Sequence, residues 1–250
     1  NRRWWLDCVV DKNFKDKIVV ITGASSGVGK TITNYFLNKN AKVFVCARRL
    51  NLMKKNFKKK KNVFIFKSDL TKESDRRKFI KYIITKFNKI DILINNAGLA
   101  YYSPITKINY KNLKKTFEIN FFAPLMIIKS ILPEMKKKNY GRIINISSGG
   151  SVNCVENYLA YSASKAALNT LTKTAAKEVK NYNIKINSLS PGPCKTQMFP
   201  KNLLNPSLCL PTVEYLSSLG KNGFSGKYFS FMREIKIFPD LASKKISVKI

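Results

Sequence analysis

The sequence predicts an α/β fold, a doubly wound parallel sheet in a single domain, on three observations. The chain has 250 residues, 44% of them hydrophobic, which is the size of one large domain with a substantial core. Short runs that are apolar throughout recur along the chain, separated by amphipathic stretches. A glycine-rich turn follows the first run, as expected where a buried strand turns tightly into a helix.

Predicted strands and helices alternate along the chain. The strands are rich in β-branched and aromatic residues, and because they do not alternate with polar residues, we expect helices on both faces of the sheet. The predicted strands are residues 17–22, 41–47, 62–67, 91–95, 142–147, 185–189 and 227–231. The predicted helices run from the glycine turn to about residue 38, over 71–87, over 110–138, through the segment around residue 161 and over 212–219.

The expected organisation is a polar lead-in over residues 1–16, one α/β domain over 17–238 and a basic tail over 239–250. The longest uncharged apolar run, Phe121 to Ile128, is far shorter than the roughly 20 residues that cross a bilayer. We therefore expect no transmembrane helix within this chain.

The first residues leave membrane association open. The stretch Arg2-Arg3-Trp4-Trp5 combines cations with indoles, as a juxtamembrane segment does, although a plain leader fits equally well. Because the chain starts at Asn1 rather than Met, an upstream anchor or targeting segment also stays open. Peripheral or anchored association with a membrane is therefore kept as an alternative.

The cysteine and histidine counts exclude several kinds of site. Five cysteines without C-x-x-C spacing argue against a disulfide framework and a zinc site, and favour the cytoplasmic side of a reducing compartment, with an organelle left open. The chain has no histidine, which excludes Ser-His-Asp hydrolases, Cys-His proteases and His-liganded metals. We expect no metal site.

The charge of the chain is strongly positive, with 47 Lys and Arg against 14 Asp and Glu and a net charge of +33. Such a balance can indicate a polyanion partner. The lysines, however, occur on nearly every predicted helix and loop, and no aromatic-interleaved basic ribbon is present. We interpret the charge as a solvated basic surface and expect no specific nucleic-acid partner.

The glycine-rich turn TGASSGVGKT, residues 22–31, resembles two kinds of phosphate-binding loop. The NTPase loop G-x-x-x-x-G-K-[ST] fits at Gly29-Lys30-Thr31, but its first glycine would fall on Ala24. A dinucleotide turn instead needs glycines that let a pyrophosphate approach a helix N-terminus, and Gly23, Gly27 and Gly29 suit it. The turn alone does not decide between the two.

Tyr161 and Lys165 are four residues apart, so they share one face of a helix. A phenol with a pKa of about 10 is a poor acid–base catalyst at neutral pH, and a nearby ammonium would lower that pKa. Taken alone, the pair fits an ordinary helix surface as well as a proton-exchange site.

Three further polar positions accompany this pair. Ser148 follows a predicted buried strand, where its hydroxyl could hydrogen-bond a developing oxyanion. The segment 95–98, NNAG, follows another strand, and Asn120 interrupts an apolar helix, where a buried amide needs partners. The full set in this order favours a catalytic site over chance.

With T-G-x-x-x-G-x-G at residues 22–29, N-N-A-G at 95–98 and Y-x-x-x-K at 161–165, the sequence resembles the short-chain dehydrogenase/reductase family from about residue 17 to 231. The resemblance implies a Rossmann fold, a nicotinamide cofactor and a catalytic tetrad. In that tetrad Tyr161 would exchange the proton and Ser148 would orient the carbonyl. Lys165 would bind the nicotinamide ribose and lower the pKa of Tyr161, and Asn120 would hold a water of the proton relay.

The same resemblance makes the glycine turn a dinucleotide site, and the NTPase alternative also lacks a metal-binding Asp at the end of a neighbouring strand. A P-G-x-x-x-T segment that would contact the nicotinamide end begins at Pro191. The residues expected to contact the cofactor are Thr22, Gly23, Ser25, Gly27, Val28, Gly29, Arg48, Asp69, Leu70, Asn96, Ala97, Gly98, Tyr161, Lys165, Pro191, Gly192 and Thr196.

The end of the second predicted strand indicates which nicotinamide cofactor is bound. An acidic residue there would hydrogen-bond the ribose 2′-OH of NAD, whereas an arginine pairs with the 2′-phosphate of NADP. The strand ends in Ala47-Arg48-Arg49. We therefore predict NADP(H), with Arg48 as the main phosphate partner and Asp69 near the adenine.

The C-terminal part indicates the substrate. It lacks the D-G-G that closes bacterial acyl-carrier-protein reductases, and residues 225–230, SGKYFS, resemble the retinol dehydrogenase and carbonyl reductase branch instead. That likeness implies a lipophilic aldehyde, ketone or retinoid- or steroid-like substrate, interconverted between carbonyl and alcohol. A 3-oxoacyl thioester reductase and, in another class, an NADP(H)-binding regulatory or polyanion-binding protein are the alternatives. The family also implies a homodimer through the helices that carry Asn120 and Tyr161.

Overall fold

The computed structural model describes residues 11–238, and the predictions for Arg2–Trp5 and for the tail over 239–250 lie outside this range. Within it, one eight-stranded sheet has the order β3-β2-β1-β4-β5-β6-β7-β8. The strands are β1 Ile18–Thr22, β2 Lys42–Ala47, β3 Val63–Lys67, β4 Ile92–Asn95, β5 Gly141–Ile146, β6 Ile184–Ser190, β7 Tyr228–Ser230 and β8 Arg233–Glu234.

Helices cover both faces of this sheet. They are α1 Gly27–Asn38, α2 Leu50–Phe57, α3 Glu73–Phe87, α4 Tyr110–Phe117, α5 Ala123–Lys137, α6 Gly150–Asn153, α7 Leu159–Glu178 and α8 Leu210–Ser218. Helices α1, α2 and α8 contribute to one apolar cluster, and α3, α5 and α7 contribute to the other. The doubly wound α/β prediction is therefore confirmed.

Strand β1 shows why the strands are apolar throughout. Its side chains point alternately to the two faces, so Val19 and Ile21 join one cluster while Ile18 and Val20 join the other. All five residues of the strand are buried. A central parallel strand has no solvent face, and a polar residue would leave one of the two clusters incomplete.

One strand at the edge of the sheet was not predicted. Strands β1 to β7 pair in parallel, but β8 pairs antiparallel with β7, with Phe229 opposite Glu234. The chain reverses at Phe231 and Met232, which both have a positive φ. Strand β8 has only two residues, Arg233 and Glu234, and both are charged. Because it contains no apolar run, sequence periodicity could not detect it.

Two helices also differ from the prediction. Helix α2 was not predicted, although Met53 and Phe57 on one of its faces are buried in the core. The predicted helix over 110–138 is instead α4 and α5 joined by a π-helical turn, Glu118–Phe122, in which Asn120 is wholly buried. Such π-turns occur frequently at functional sites.

The stretch Tyr110–Lys137 is the one helical segment among residues 11–238 that is long and apolar enough, by length and composition, to cross a membrane. Its apolar side chains already have partners in the fold. Ala123, Ile127 and Ile131 are fully buried in the cluster that covers the sheet. We therefore interpret the segment as a core helix.

The order of the strands determines where in the fold a binding site can form. Strand β1 lies between β2 and β4. After β1 the chain adds β2 and β3 on one side of it and then crosses over to add β4 on the other side. In open α/β sheets this reversal opens a crevice beyond the carboxyl ends of the strands. The glycine turn, the NNAG segment and Ser148 all follow strands that end there.

Candidate active site

A cleft of about 1070 Å³ opens beyond the carboxyl ends of the central strands. Most of the predicted site residues line it together. These are Gly23, Ser25, Gly27, Val28, Gly29, Arg48, Leu70, Asn96, Ala97, Gly98, Ser148, Tyr161, Lys165, Pro191, Gly192 and Thr196. Thr22, Asp69 and Asn120 lie behind or beside the wall instead of on it.

The glycine turn packs directly on the NNAG segment. A Cβ built on Gly23, which has a φ of +69°, would lie 2.7 Å from the Ala97 Cα. One built on Gly29 would lie 2.4 Å from the Asn96 Nδ2. The two loops meet backbone to backbone, which requires glycine at both positions.

Thr22 ties these two loops together from behind. Its Oγ1 accepts hydrogen bonds from the backbone N–H groups of Asn96 and Ala97, both at 3.0 Å. The Asn96 Nδ2 donates to the Thr22 carbonyl at 2.9 Å. Thr22 therefore stabilises the turn, and the turn leaves the N-terminus of α1 facing the cleft, where free N–H groups favour an anion.

This turn fits the pyrophosphate of a dinucleotide. Glycine leaves space for close backbone approach, and the first turn of α1 carries no acidic side chain that would repel a phosphate. The cleft continues without a break from the turn to Tyr161, so a molecule as long as a dinucleotide can reach the catalytic residues. The described residues therefore fit a nicotinamide cofactor.

Arg49 is a site residue that the sequence interpretation missed. Its guanidinium donates to the Ser25 Oγ at 2.8 Å, to the Ser26 Oγ at 2.7 Å and to the Gln197 Oε1. It therefore lies across the glycine turn, on the cleft wall. The prediction chose Arg48 as the main phosphate partner, but α2 begins at Leu50, directly after Arg49, and the Arg49 side chain contacts the glycine turn.

Arg48 is exposed on the same wall and carries a charge near Asp69. The Asp69 Oδ1 accepts hydrogen bonds from the Thr71 N–H at 3.1 Å and hydroxyl at 2.8 Å. Burial alone would raise the pKa of Asp69, but the Thr71 hydrogen bonds and the charges of Arg48 and Lys72 outweigh it and lower the pKa. Asp69 therefore stays ionised beside the cleft.

Helix α7 carries both Tyr161 and Lys165 into the cleft. They are 9% and 3% exposed, so the shared face predicted from their spacing is turned inward. The Lys165 Nζ donates to the Ile146 carbonyl at 2.6 Å and lies 5.9 Å from the centre of the Tyr161 ring.

The pKa values of this pair differ from the prediction that Lys165 would bring Tyr161 toward neutral pH. Burial raises the pKa of Tyr161 above its ordinary value, while the hydrogen bond with Ser148 acts in the opposite direction. Burial also lowers the pKa of Lys165 to about 8. Desolvation disfavours the charged form of each group, and it outweighs the attraction expected between them.

Asn120 is wholly buried, and its side-chain amide forms hydrogen bonds with other groups of the protein. Its Oδ1 accepts from the Leu99 N–H, and its Nδ2 donates to the Leu99 carbonyl and the Ser164 Oγ, all at 2.9 Å. The π-helical turn thus fixes the loop after β4 against α7. The predicted role of Asn120 in holding a water stays a prediction.

Aromatic side chains surround the catalytic tyrosine. The rings of Phe199 and Tyr158 lie 5.9 Å and 6.4 Å from the ring of Tyr161, and Phe199 also packs on Tyr158 at 5.9 Å. On the opposite side Phe231 packs against Gly192, where a Cβ would lie 2.2 Å from the Phe231 ring. The part of the cleft around Tyr161 is thus walled by aromatic rings.

The model of the short chain dehydrogenase family matches residues 17–205. The chain belongs to this family. Among its relatives, a diacetyl reductase of Staphylococcus epidermidis that forms (S)-acetoin is 33% identical over 190 residues, which are 74% of each chain. An uncharacterized oxidoreductase of Staphylococcus saprophyticus is 35% identical over 190 residues, 74% of this chain and 77% of that one.

Solved structures of the short-chain dehydrogenase fold agree with this one. The protein ElxO with bound NADP is 26% identical and superposes with a TM-score of 0.80 over 86% of this chain and 97% of that one. The NADP complex of RhlG from Pseudomonas aeruginosa superposes with a TM-score of 0.81 at 23% identity, over 88% and 96%. This chain is therefore a short-chain dehydrogenase/reductase that acts on CH–OH or C=O groups.

Proposed function

We propose that this short-chain dehydrogenase/reductase uses NADP(H) to interconvert a lipophilic carbonyl compound and its alcohol. The observation that carries the proposal is the shared cleft, whose wall holds the glycine turn, two arginines and the pair of Ser148 and Tyr161. A nicotinamide cofactor bound there supplies or accepts a hydride.

Tyr161 is the proton donor in the direction of reduction. Its raised pKa keeps the phenol protonated at neutral pH, as a general acid must be before it donates to a carbonyl oxygen. The hydroxyl of Ser148 hydrogen-bonds the same oxygen and lowers the free energy of the developing oxyanion. The buried Lys165 binds a ribose hydroxyl through its Nζ, and the aromatic rings around Tyr161 exclude water.

The preference for NADP(H) rests on Arg48 and Arg49. Both side chains line the cleft, and the Arg49 guanidinium contacts Ser25 and Ser26. An adenosine 2′-phosphate at the end of β2 would meet these two guanidinium groups, and no acidic residue directly follows the strand. The NADP complex of ElxO supports this choice.

Arg49→Ala and Arg48→Ala are each expected to raise the KM for NADPH by about 10-fold or more, because each removes a charge-assisted hydrogen bond to phosphate. The KM for NADH should change less than about twofold, since NADH has no 2′-phosphate. Steady-state rates with both cofactors measure this, and Arg77→Ala on exposed α3 is the matched control. An equal rise of the KM for NADPH and for NADH would mean that the arginines stabilise the glycine turn and do not bind the 2′-phosphate.

The outer part of the cleft favours a lipophilic substrate. The rings of Tyr158 and Phe199 pack beside Tyr161, and the apolar side chains of Leu99, Val155 and Met198 also line the cleft. The diacetyl reductase among the relatives supports a small ketone within the same class. A 3-oxoacyl thioester is the second candidate, because the cleft is open at this side and a long pantetheine arm could enter it.

A carbonyl panel distinguishes these candidates. We expect NADPH oxidation with diacetyl, long-chain aldehydes, retinal or a steroid ketone, and little with 3-oxoacyl thioesters, because the rings of Tyr158 and Phe199 beside Tyr161 favour an apolar substrate. The measurement is NADPH consumption by the purified chain at fixed substrate concentration. Activity with the thioesters alone would replace the proposal by the second candidate, and tight NADPH binding without any turnover would favour a sensing protein.

We also propose that the protein forms a homodimer through α4, α5 and α7. Tyr110 on α4, Phe122 in the π-helical turn before α5 and Leu159 on α7 are 75%, 44% and 47% exposed, which is unusual for large apolar side chains on neighbouring elements.

A further inference from the structure

Ser151 connects the catalytic serine with three other elements of the fold. Its Oγ donates to the Ser148 carbonyl at 2.6 Å and accepts from the Asn169 Nδ2 at 2.9 Å. The hydroxyl of Tyr228 on β7 reaches Ser151 and Ser190 from the sheet side. Ser151 itself is partly buried and makes no direct contact with Tyr161 among the described hydrogen bonds.

Backbone hydrogen bonds hold part of the segment that carries Ser148. The Ser151 N–H donates to the Ser148 carbonyl at 3.0 Å, and the Asn153 N–H donates to the Gly149 carbonyl at 2.9 Å. Ser148 is followed by Gly149 and Gly150, and a Cβ built on Gly149 would meet no atom within 4 Å. Two successive glycines allow many backbone conformations, so the side-chain contacts of Ser151 add order that these backbone hydrogen bonds alone do not supply. The Ser148 hydroxyl accepts one hydrogen bond, from the Gly150 N–H at 3.1 Å, which lies within the same turn.

Asn169 connects the turn that carries Ser148 to the helix that carries the proton donor Tyr161. It lies on α7, one helical turn beyond Lys165, so Tyr161, Lys165 and Asn169 move together as one rigid element. Asn169 is 2% exposed, and its Oδ1 has no hydrogen-bond partner within residues 11–238. A buried amide with an unpaired acceptor costs stability, which indicates that its Nδ2 contact with Ser151 serves something other than stability.

We propose that Ser151, held by Asn169 and Tyr228, is a positioning residue that keeps the Ser148 hydroxyl facing the Tyr161 hydroxyl. The inference rests on the proposed function, in which both hydroxyls address one carbonyl oxygen. That task requires their separation to be fixed within a fraction of an ångström, and a displacement of about 1 Å can cost about 100-fold in rate. The hydrogen bond from Ser151 ties the Ser148 backbone to the helix that carries Tyr161.

The test compares five variants in NADPH turnover with the best substrate of the carbonyl panel. Ser151→Ala should lower kcat by about 10-fold and leave the KM for NADPH within about twofold, because Ser151 does not line the cofactor cleft. Ser151→Thr keeps a hydroxyl and should restore most of the rate. Ser130→Ala, an exposed serine on α5 that donates to the Met126 carbonyl, is the matched control.

Epistasis decides whether Ser151 acts through Ser148. The double variant Ser148→Ala/Ser151→Ala should be no slower than Ser148→Ala alone. Once the Ser148 hydroxyl is removed, Ser151 has no hydroxyl left to position. The pH profile gives a second readout. The Ser148 hydrogen bond lowers the pKa of Tyr161, so Ser151→Ala should move the basic limb of the rate profile to higher pH.

The outcomes separate the two proposals. An unchanged kcat in Ser151→Ala, a fully additive double variant, or a lower melting temperature with an unmoved basic limb would overturn the positioning role and leave the proposed function standing. No turnover in the wild-type protein with any carbonyl would overturn the proposed function, and the positioning role with it.

Discussion

Tyr161→Phe is expected to lower kcat by about 10²- to 10⁴-fold, which is the usual contribution of a positioned proton donor. The substitution removes one hydroxyl and keeps the ring, so the packing of Tyr158 and Phe199 on it should persist. The KM for NADPH should therefore change little. Turnover of the best panel substrate and NADPH binding by fluorescence measure the two effects separately.

Tyr182→Phe is a suitable control for this experiment. Tyr182 lies just before β6, at the opposite end of the sheet from the cleft, and its ring is contacted by the Lys136 ammonium. A variant Tyr161→Phe that kept its activity would show that another group donates the proton. NADPH binding without turnover in the wild-type protein would instead favour the binding and sensing alternatives.

The fold was predictable where burial dictates the sequence. β1 is buried on both faces, so its five residues are almost uniformly apolar and could be identified without any structure. Helix α2 and strand β8 could not be identified in the same way. Helix α2 buries only one narrow face, with Met53 and Phe57 among lysines, and β8 is a two-residue edge whose pairing depends on where β7 happens to end.

The site was predictable to the extent that it consists of local patterns. The spacing of Tyr161 and Lys165 fixes a common helical face, and the glycine turn is read directly from residues 22–29. Arg49 and Ser151 were missed because their partners are distant in sequence, namely Gln197 for the first and Asn169 for the second. Contacts of this kind depend on tertiary structure, and no local pattern encodes them.

The pKa directions illustrate the same limit in energetic terms. From the sequence, Lys165 is a cation beside a phenol, and attraction alone predicts a lower pKa for Tyr161. In the fold both groups are more than nine-tenths buried, so desolvation dominates and shifts both pKa values toward the neutral forms. The extent of burial is a property of the packed cleft, and it decides which effect prevails.

Lys165→Met is expected to make the protein more stable and inactive at the same time. Burial lowers the pKa of Lys165 from 10.5 to about 8, so at pH 7 the folded state keeps an ammonium that it disfavours by about 3 kcal/mol. Methionine has a similar length and no charge, and the loss of the hydrogen bond to the Ile146 carbonyl offsets about 1 kcal/mol. The free energy of unfolding should rise by about 2 kcal/mol, while kcat should fall by about 100-fold.

The gain in stability of Lys165→Met over the wild-type protein should decrease as the pH rises. Below pH 8 the lysine is protonated in both states, and the folded state carries the whole cost of the buried ammonium. Between about pH 8 and 10.5 the folded state releases the proton while the unfolded state keeps it, so the stability of the wild-type protein relative to the variant increases with pH. The advantage of Lys165→Met should therefore be largest at pH 7 and shrink by pH 9.5.

Urea unfolding of both proteins at pH 7 and 9.5 measures the effect, and Lys177→Met on the exposed face of α7 is the matched control. The control should show no change of the difference with pH, because Lys177 is exposed to solvent in the folded protein. A pH-independent difference for Lys165→Met, or a loss of stability at pH 7, would mean that Lys165 has a stabilising partner in the folded protein. Retained stability with lost activity would instead identify Lys165 as a residue kept for catalysis at the expense of stability, as buried functional charges generally are.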